Sequence, residues 1–218
     1  VGGVLEDKAQ CIITTYDGNY LLAGSTSSYG SGGQDALLSK TDNNGNLIWS
    51  YAYGGANDDE FVDVIETSDS GYAAIGRTKS FGSGIYDIIL VKFNAAGNLQ
   101  WSKVMGTSGD EQSDDIKQTP DGGFIIVGMY KTSPDLDFLV IKTDALGNIQ
   151  WSSGYGSSTN DWGNSCLILP GGGYLIAGTT FGFGAGMHNG MLIKIDNTGT
   201  MLWSKTYGGN NDEGFIAL

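Results

Sequence analysis

The chain has 218 residues, 40% hydrophobic and 16% charged, with a net charge of −13. Such an acidic surface repels phosphate backbones and anionic headgroups, which argues against nucleic acid and membrane surfaces as partners. Apolar runs such as 124–127 are too short to span a bilayer, so no membrane insertion is expected.

Glycine is abundant at 36 residues and proline scarce at 3, and the glycines recur at fixed intervals. That pattern is turn chemistry rather than a flexible linker. The chain opens on Val1 with no methionine or apolar leader, so it reads as a processed or excised piece.

Taken in order, the sequence repeats itself. The units are 1–52, 53–104, 105–154 and 155–206, and 207–218 starts another copy. A period near 50 residues is the mark of a repeat architecture, here one continuous array. Each unit reads as four strands. The first, after an acidic pair, is predicted over 8–14, 60–66, 112–118 and 162–168. Turns such as Tyr16-Asp17-Gly18-Asn19 and Pro120-Asp121-Gly122-Gly123 follow, with the residues that tight hairpins need.

The second strand is predicted over 20–26, 72–78, 124–130 and 174–180, with a glycine at one column: Gly24, Gly76, Gly128 and Gly178. An interior strand glycine suggests close approach of a neighbour, and the tryptophan ring is the natural candidate. The third strand, over 36–41, 88–93, 138–143 and 191–195, is nearly all apolar, as expected when both faces are buried. It carries one lysine per unit: Lys40, Lys92, Lys142 and Lys194. A charge in an apolar strand needs a partner, and the predicted partners are Asp7, Asp59, Glu111, Asp161 and Glu213.

An Asp/Asn-x-x-Gly turn then leads into the fourth strand, which carries Trp49, Trp101, Trp151 or Trp203. Four short antiparallel strands per unit with apolar faces describe an all-β propeller of four complete blades plus the first strand of a fifth.

The phrase Asp-Gly-Gly-Tyr…Gly, Leu-Ile-Lys-x-Asp-x-x-Gly-x-x-x-Trp-Ser-Lys-x-Tyr-Gly-Gly resembles the kelch-like propeller repeats of secreted and surface proteins of bacteria and archaea. Trp203-Ser204-Lys205-Thr206-Tyr207-Gly208-Gly209 carries it most closely. The resemblance implies an extracellular or cell-surface module, often part of a longer chain. The turn-and-tryptophan hairpin also resembles the docking motif of quinoprotein dehydrogenases and the Asp box of sialidases, although the spacing differs in both. In those families the motif is structural, and that role is expected for the four repeated tryptophans.

Catalytic sets are hard to assemble. Arg77 is the sole arginine, against the three that a sialidase resemblance implies, and His188 is the sole histidine. Asp114 and Asp115 are adjacent on a strand and point to opposite faces, so they cannot form a glycosidase pair.

The acidic pairs Glu6/Asp7, Asp58/Asp59, Asp110/Glu111, Asn160/Asp161 and Asp212/Glu213 are candidates for calcium, chiefly through Asp7, Asp59, Glu111 and Asp161. The alternatives are turn caps or ion pairs with the repeated lysines. Tyr29, Phe81 and Phe183 recur in the loops between strands two and three as stacking or packing residues. Trp162 breaks the repeat beside Asp161 and is the best single candidate for a ligand contact.

Cys11 and Cys166 are expected as buried free thiols, with a disulfide as the alternative. The chain contains no Asn-x-Ser/Thr acceptor for N-glycosylation.

The leading functional expectation is a non-catalytic module for binding or structural assembly. The alternative is a carbohydrate-directed protein, lectin or glycosidase. The array is expected not to close on itself, so its end faces would be covered by the rest of a longer repeat chain or by further copies; the other partners considered are a protein or a glycan.

Overall fold

The computed structural model describes residues 2–131, 134–185, 187–211 and 213–215. Expectations for Val1, Ser133, Asp212 and residues 216–218 lie outside the described residues. Among the described residues the regular structure is 16 strands and no helix.

The first repeat forms β1 (Asp7–Thr14), β2 (Tyr20–Thr26), β3 (Asp35–Thr41) and β4 (Leu47–Tyr53). The second forms β5 (Asp59–Glu66), β6 (Tyr72–Thr78), β7 (Asp87–Phe93) and β8 (Leu99–Met105). The third forms β9 (Glu111–Gln118), β10 (Phe124–Lys131), β11 (Leu136–Thr143) and β12 (Ile149–Tyr155). The fourth forms β13 (Asp161–Ile168), β14 (Tyr174–Thr180), β15 (Asn189–Ile195) and β16 (Met201–Tyr207). Each repeat is one four-stranded sheet with its strands in chain order. The first and third strands of each repeat begin one or two residues earlier than the hydrophobic pattern suggests, because the acid at the start of strand one and Asp35, Asp87, Leu136 or Asn189 at the start of strand three already pair.

Local chemistry explains the connections. In the turn between β3 and β4, one Asp42 oxygen accepts from the backbone N–H of Asn44 and Asn46, at 2.9 and 2.8 Å. Gly45 there has φ of 83°, a left-handed geometry that suits glycine. The second repeat does the same with Asn94, whose side-chain oxygen accepts from Ala96 and Asn98.

The chain divides into two compact units, Val1–Gln112 and Ser113–Leu218. In the first, Leu21, Ala23 and Leu38 of one sheet meet Phe61, Tyr72, Val91 and Phe93 of the next. In the second, Ile125, Val127, Phe138 and Val140 meet Cys166, Tyr174, Ile176 and Ile193. β3 and β7 are buried along their whole length, as their apolar runs require.

The strand-two glycines have a different neighbour from the one expected. A side chain on Gly24, Gly76 or Gly178 would start about 2 Å from the backbone carbonyl of Lys8, Glu60 or Trp162, respectively (2.0, 1.8 and 2.0 Å). The adjacent strand bulges there, with an extra residue between Ala9 and Cys11, Phe61 and Asp63, and Gly163 and Ser165. The bulge turns a carbonyl toward strand two, and only a glycine leaves room for it.

Candidate functional site

Three of the four repeated lysines find carboxylates, but not the predicted ones. Lys40 Nζ donates to Asp17 Oδ2 at 2.6 Å and to the Tyr72 hydroxyl at 2.8 Å. Lys92 lies 3.0 Å from Asp69 Oδ2, and Lys142 lies 2.9 Å from Asp121 Oδ2. The partner is therefore the aspartate of the same repeat's first hairpin. Lys92 and Lys142 also donate to the carbonyls of Phe93 and Thr143 and to Gln100 and Gln150. Each of these three ammoniums is buried while its carboxylate is half exposed.

Burial alone would raise the Asp69 and Asp121 carboxyls. Hydrogen bonds from Thr67 or Thr119 and from the lysine outweigh it and hold both at about 2. Asp17 is likewise held below its ordinary value, first by Lys40 and then by Thr15. In the fourth repeat Gly171 stands at the aspartate column, and no ion pair among the described residues includes Lys194.

The acids before strand one hold turns. Asp7, Asp59, Glu111, Asp161 and Glu213 each accept the backbone N–H of the residue four earlier: Gly3, Gly55, Thr107, Ser157 and Gly209. Asp7 and Asp59 also accept from Thr26 and Thr78 at the end of strand two. Among the described residues no three His, Cys, Asp or Glu side chains gather as a metal group.

Two of the repeated tryptophans, Trp49 and Trp151, lie on the following repeat. A side chain on Gly97 would begin 2.7 Å from the Trp49 ring, and one on Gly199 would begin 3.0 Å from the Trp151 ring. Trp151 also donates its indole N–H to the carbonyl of Asn197 at 3.0 Å. Trp49 and Trp151 pack beside Tyr72 and Tyr174, with ring centroids 5.9 and 6.2 Å apart. Trp101 occupies the same strand position, paired with Lys92.

Tyr29, Phe81 and Phe183 are all partly exposed. Tyr29 donates to the carbonyl of Gly2, and Phe81 packs on Tyr53 at 5.7 Å, so these two cover the start of a repeat.

Against this constant framework four columns diverge. They hold Lys8, Ser25, Ser27 and Gln34 in the first repeat and Gln112, Met129, Lys131 and Leu136 in the third. In the second repeat they hold Glu60, Arg77, Lys79 and Tyr86. Arg77 pairs with Glu60, donates to Gln112 at 2.6 Å and stacks 4.9 Å over Tyr86, so it is fully engaged. In the fourth repeat the columns hold Trp162, Thr179, Phe181 and His188. Phe181 lies 3.8 Å from His188 and 5.5 Å from Trp162, ring centre to ring centre. Trp162, singled out from sequence as a break in the repeat, and His188, as the sole histidine, thus come together. Phe181 and Tyr86 were missed, although the same test of column against column marks them.

Neither cysteine is in a disulfide. Cys166 is buried and Cys11 half-buried.

These features define an all-β repeat protein of four four-stranded sheets with a constant framework and a few divergent positions. No family model matches the chain, and no curated protein matches it. Among solved structures it is similar to a chain described as "Crystal structure of the eukaryotic initiation factor", at 12% identity and a TM-score of 0.36. That similarity covers 91% of this chain and 54% of the other, about half its length. At that level it bears on neither fold nor function.

Proposed function

We propose that the four sheets are blades of a β-propeller, and that the chain is a non-catalytic extracellular or cell-surface module used in assembly and binding. The surface location rests on the resemblance of Trp203–Gly209 to secreted propeller repeats. One observation carries the assembly role. Within each unit a tryptophan lies on the next repeat's turn, yet one half of this joint is unfilled in the first repeat and the other half in the fourth. Nothing lies within 4 Å of where a Gly45 side chain would begin. Tyr20 is 36% exposed, against 1% for Tyr72 and 4% for Tyr174. Trp203 is 37% exposed. Another repeat of this kind, in a longer chain or in a second copy, fits both faces.

Light scattering of the 218-residue chain tests this. Self-association is expected, weakened about tenfold by Trp203→Ala or by Gly45→Asn, a residue that tolerates the left-handed turn. A chain that stays monomeric at all concentrations would defeat the assembly role in this form.

The cluster of Trp162, Phe181 and His188 favours a second reading, a carbohydrate-directed protein, because aromatic faces stack on sugar rings. Glycan binding lost with Trp162→Ala would support it, and silence across a broad glycan array would remove it. Calcium is the lesser reading for Asp7, Asp59, Glu111 and Asp161, since each already receives a backbone N–H.

A further inference from the structure

The joint between the third and fourth repeats differs from the one between the first and second in a way that opens a cleft. In the first pair, the backbone N–H of Tyr16 donates to Glu66 Oε2 at 2.6 Å, bridging the two hairpin ends. Lys40 closes the same space by donating to the Tyr72 hydroxyl. In the second pair Pro120 stands in the place of Tyr16 and has no N–H, and Ile168 stands in the place of Glu66 and has no carboxylate. Lys142 keeps the pair with its hairpin aspartate, Asp121, but otherwise donates to Gln150 and the Thr143 carbonyl. Both closing contacts are therefore missing.

What remains is a cleft of about 490 Å³ lined by Pro120, Asp121, Gln150, Ile168, Tyr174 and Asn197, among others. That volume lies within the range of small-molecule sites. Tyr174 is only 4% exposed, and among the described residues no hydrogen bond to its hydroxyl is found. Burial first, and Asp121 second, push its phenol above the ordinary value, so it remains a donor.

The chemistry of the walls selects a ligand. Lys142 is already neutralised by Asp121, so neither an anion nor a cation finds an unopposed charge. The hydroxyl of Tyr174, the amides of Gln150 and Asn197 and the carboxylate of Asp121 offer donors and acceptors side by side. Pro120, Ile168 and Pro170 supply an apolar wall for C–H faces. We propose that this cleft binds a neutral sugar unit, held through the Tyr174 hydroxyl and the Gln150 and Asn197 amides. The proposal rests on the carbohydrate reading above for its class of ligand and adds a sugar site in this cleft, apart from the Trp162 cluster.

Saturation-transfer NMR with glucose, galactose, mannose and N-acetylglucosamine tests it. At least one sugar is expected to bind. Tyr174→Phe should weaken it about five- to tenfold, the worth of one hydrogen bond. Phenylalanine is compatible there, since Phe124 fills that position in the third repeat. The double change Pro120→Tyr with Ile168→Glu, which restores the bridge of the first pair, should abolish binding. Silence across the four sugars, or binding that survives both cleft changes, would overturn the proposal. Binding that survives both cleft changes and is lost with Trp162→Ala would overturn the cleft while keeping the carbohydrate reading. Cleavage of a bound sugar would remove the non-catalytic reading and leave the cleft standing.

Discussion

Lys142 shows what a residue-level argument reaches and where it stops. That an ammonium in a buried strand must meet a carboxylate follows from desolvation alone. Which carboxylate it meets depends on how strands align, and the register places Lys142 beside the hairpin that holds Asp121. The acids before strand one are just as regular in sequence, so spacing did not separate them from the true partners.

The pH dependence follows in sign. Asp69 and Asp121 titrate at about 2 in the fold, below the ordinary 3.8. Their contribution to stability is complete above that ordinary value and is lost as pH falls toward 2. The melting temperature is expected to drop over that window, and the drop should flatten when Lys92 and Lys142 are both replaced by methionine.

Gly171→Asp gives Lys194 the partner its siblings have. A side chain at 171 meets nothing within 4 Å. We expect a gain of about 0.5 to 1 kcal/mol in urea unfolding, and a loss instead would show that Lys194 is better left to solvent.

At the scale of the element, strand positions and turns were legible because glycine, aspartate and alternating apolar residues mark them directly. The bulges were not. The extra residues Gln10, Val62 and Asn164 share no residue type that would announce them. Their trace was the strand-two glycine, which the sequence reading assigned to a ring instead of a carbonyl. Gly76→Ala is therefore expected to cost more than about 2 kcal/mol, since its methyl would collide with the Glu60 carbonyl. Gly18→Asn should cost only a few tenths, because nothing lies within 4 Å of its turn. Equal losses in denaturant midpoint at the two positions would contradict this account.

At the scale of the whole molecule, the repeat period was plain in the sequence, whereas the unequal fates of identical residues were not. Trp49 and Trp203 occupy the same column with nearly the same neighbours in sequence. Trp49 lies on the Gly97 turn and on Tyr72, while Trp203 is 37% exposed. Trp49→Ala should cost about 3 to 5 kcal/mol and Trp203→Ala less than about 1 kcal/mol in dilute solution. Urea denaturation of the two variants decides it. The same context explains why the divergent columns yielded Trp162 but not Phe181: a lone tryptophan stands out by its rarity, and a phenylalanine does not.

The tryptophan joint also has a direction. Trp151 reaches forward to a carbonyl 46 residues further along the chain. On a ribosome, a repeat whose last strand has emerged must wait for nearly the whole of the next before its indole has a surface to cover. At about 5 to 20 residues per second that interval is roughly 2 to 9 seconds. Throughout it the newest sheet presents an aromatic face to whatever is nearby, including the same face on a neighbouring nascent chain. Slow translation lengthens that exposure, and the sequence that ends it is always the one not yet made.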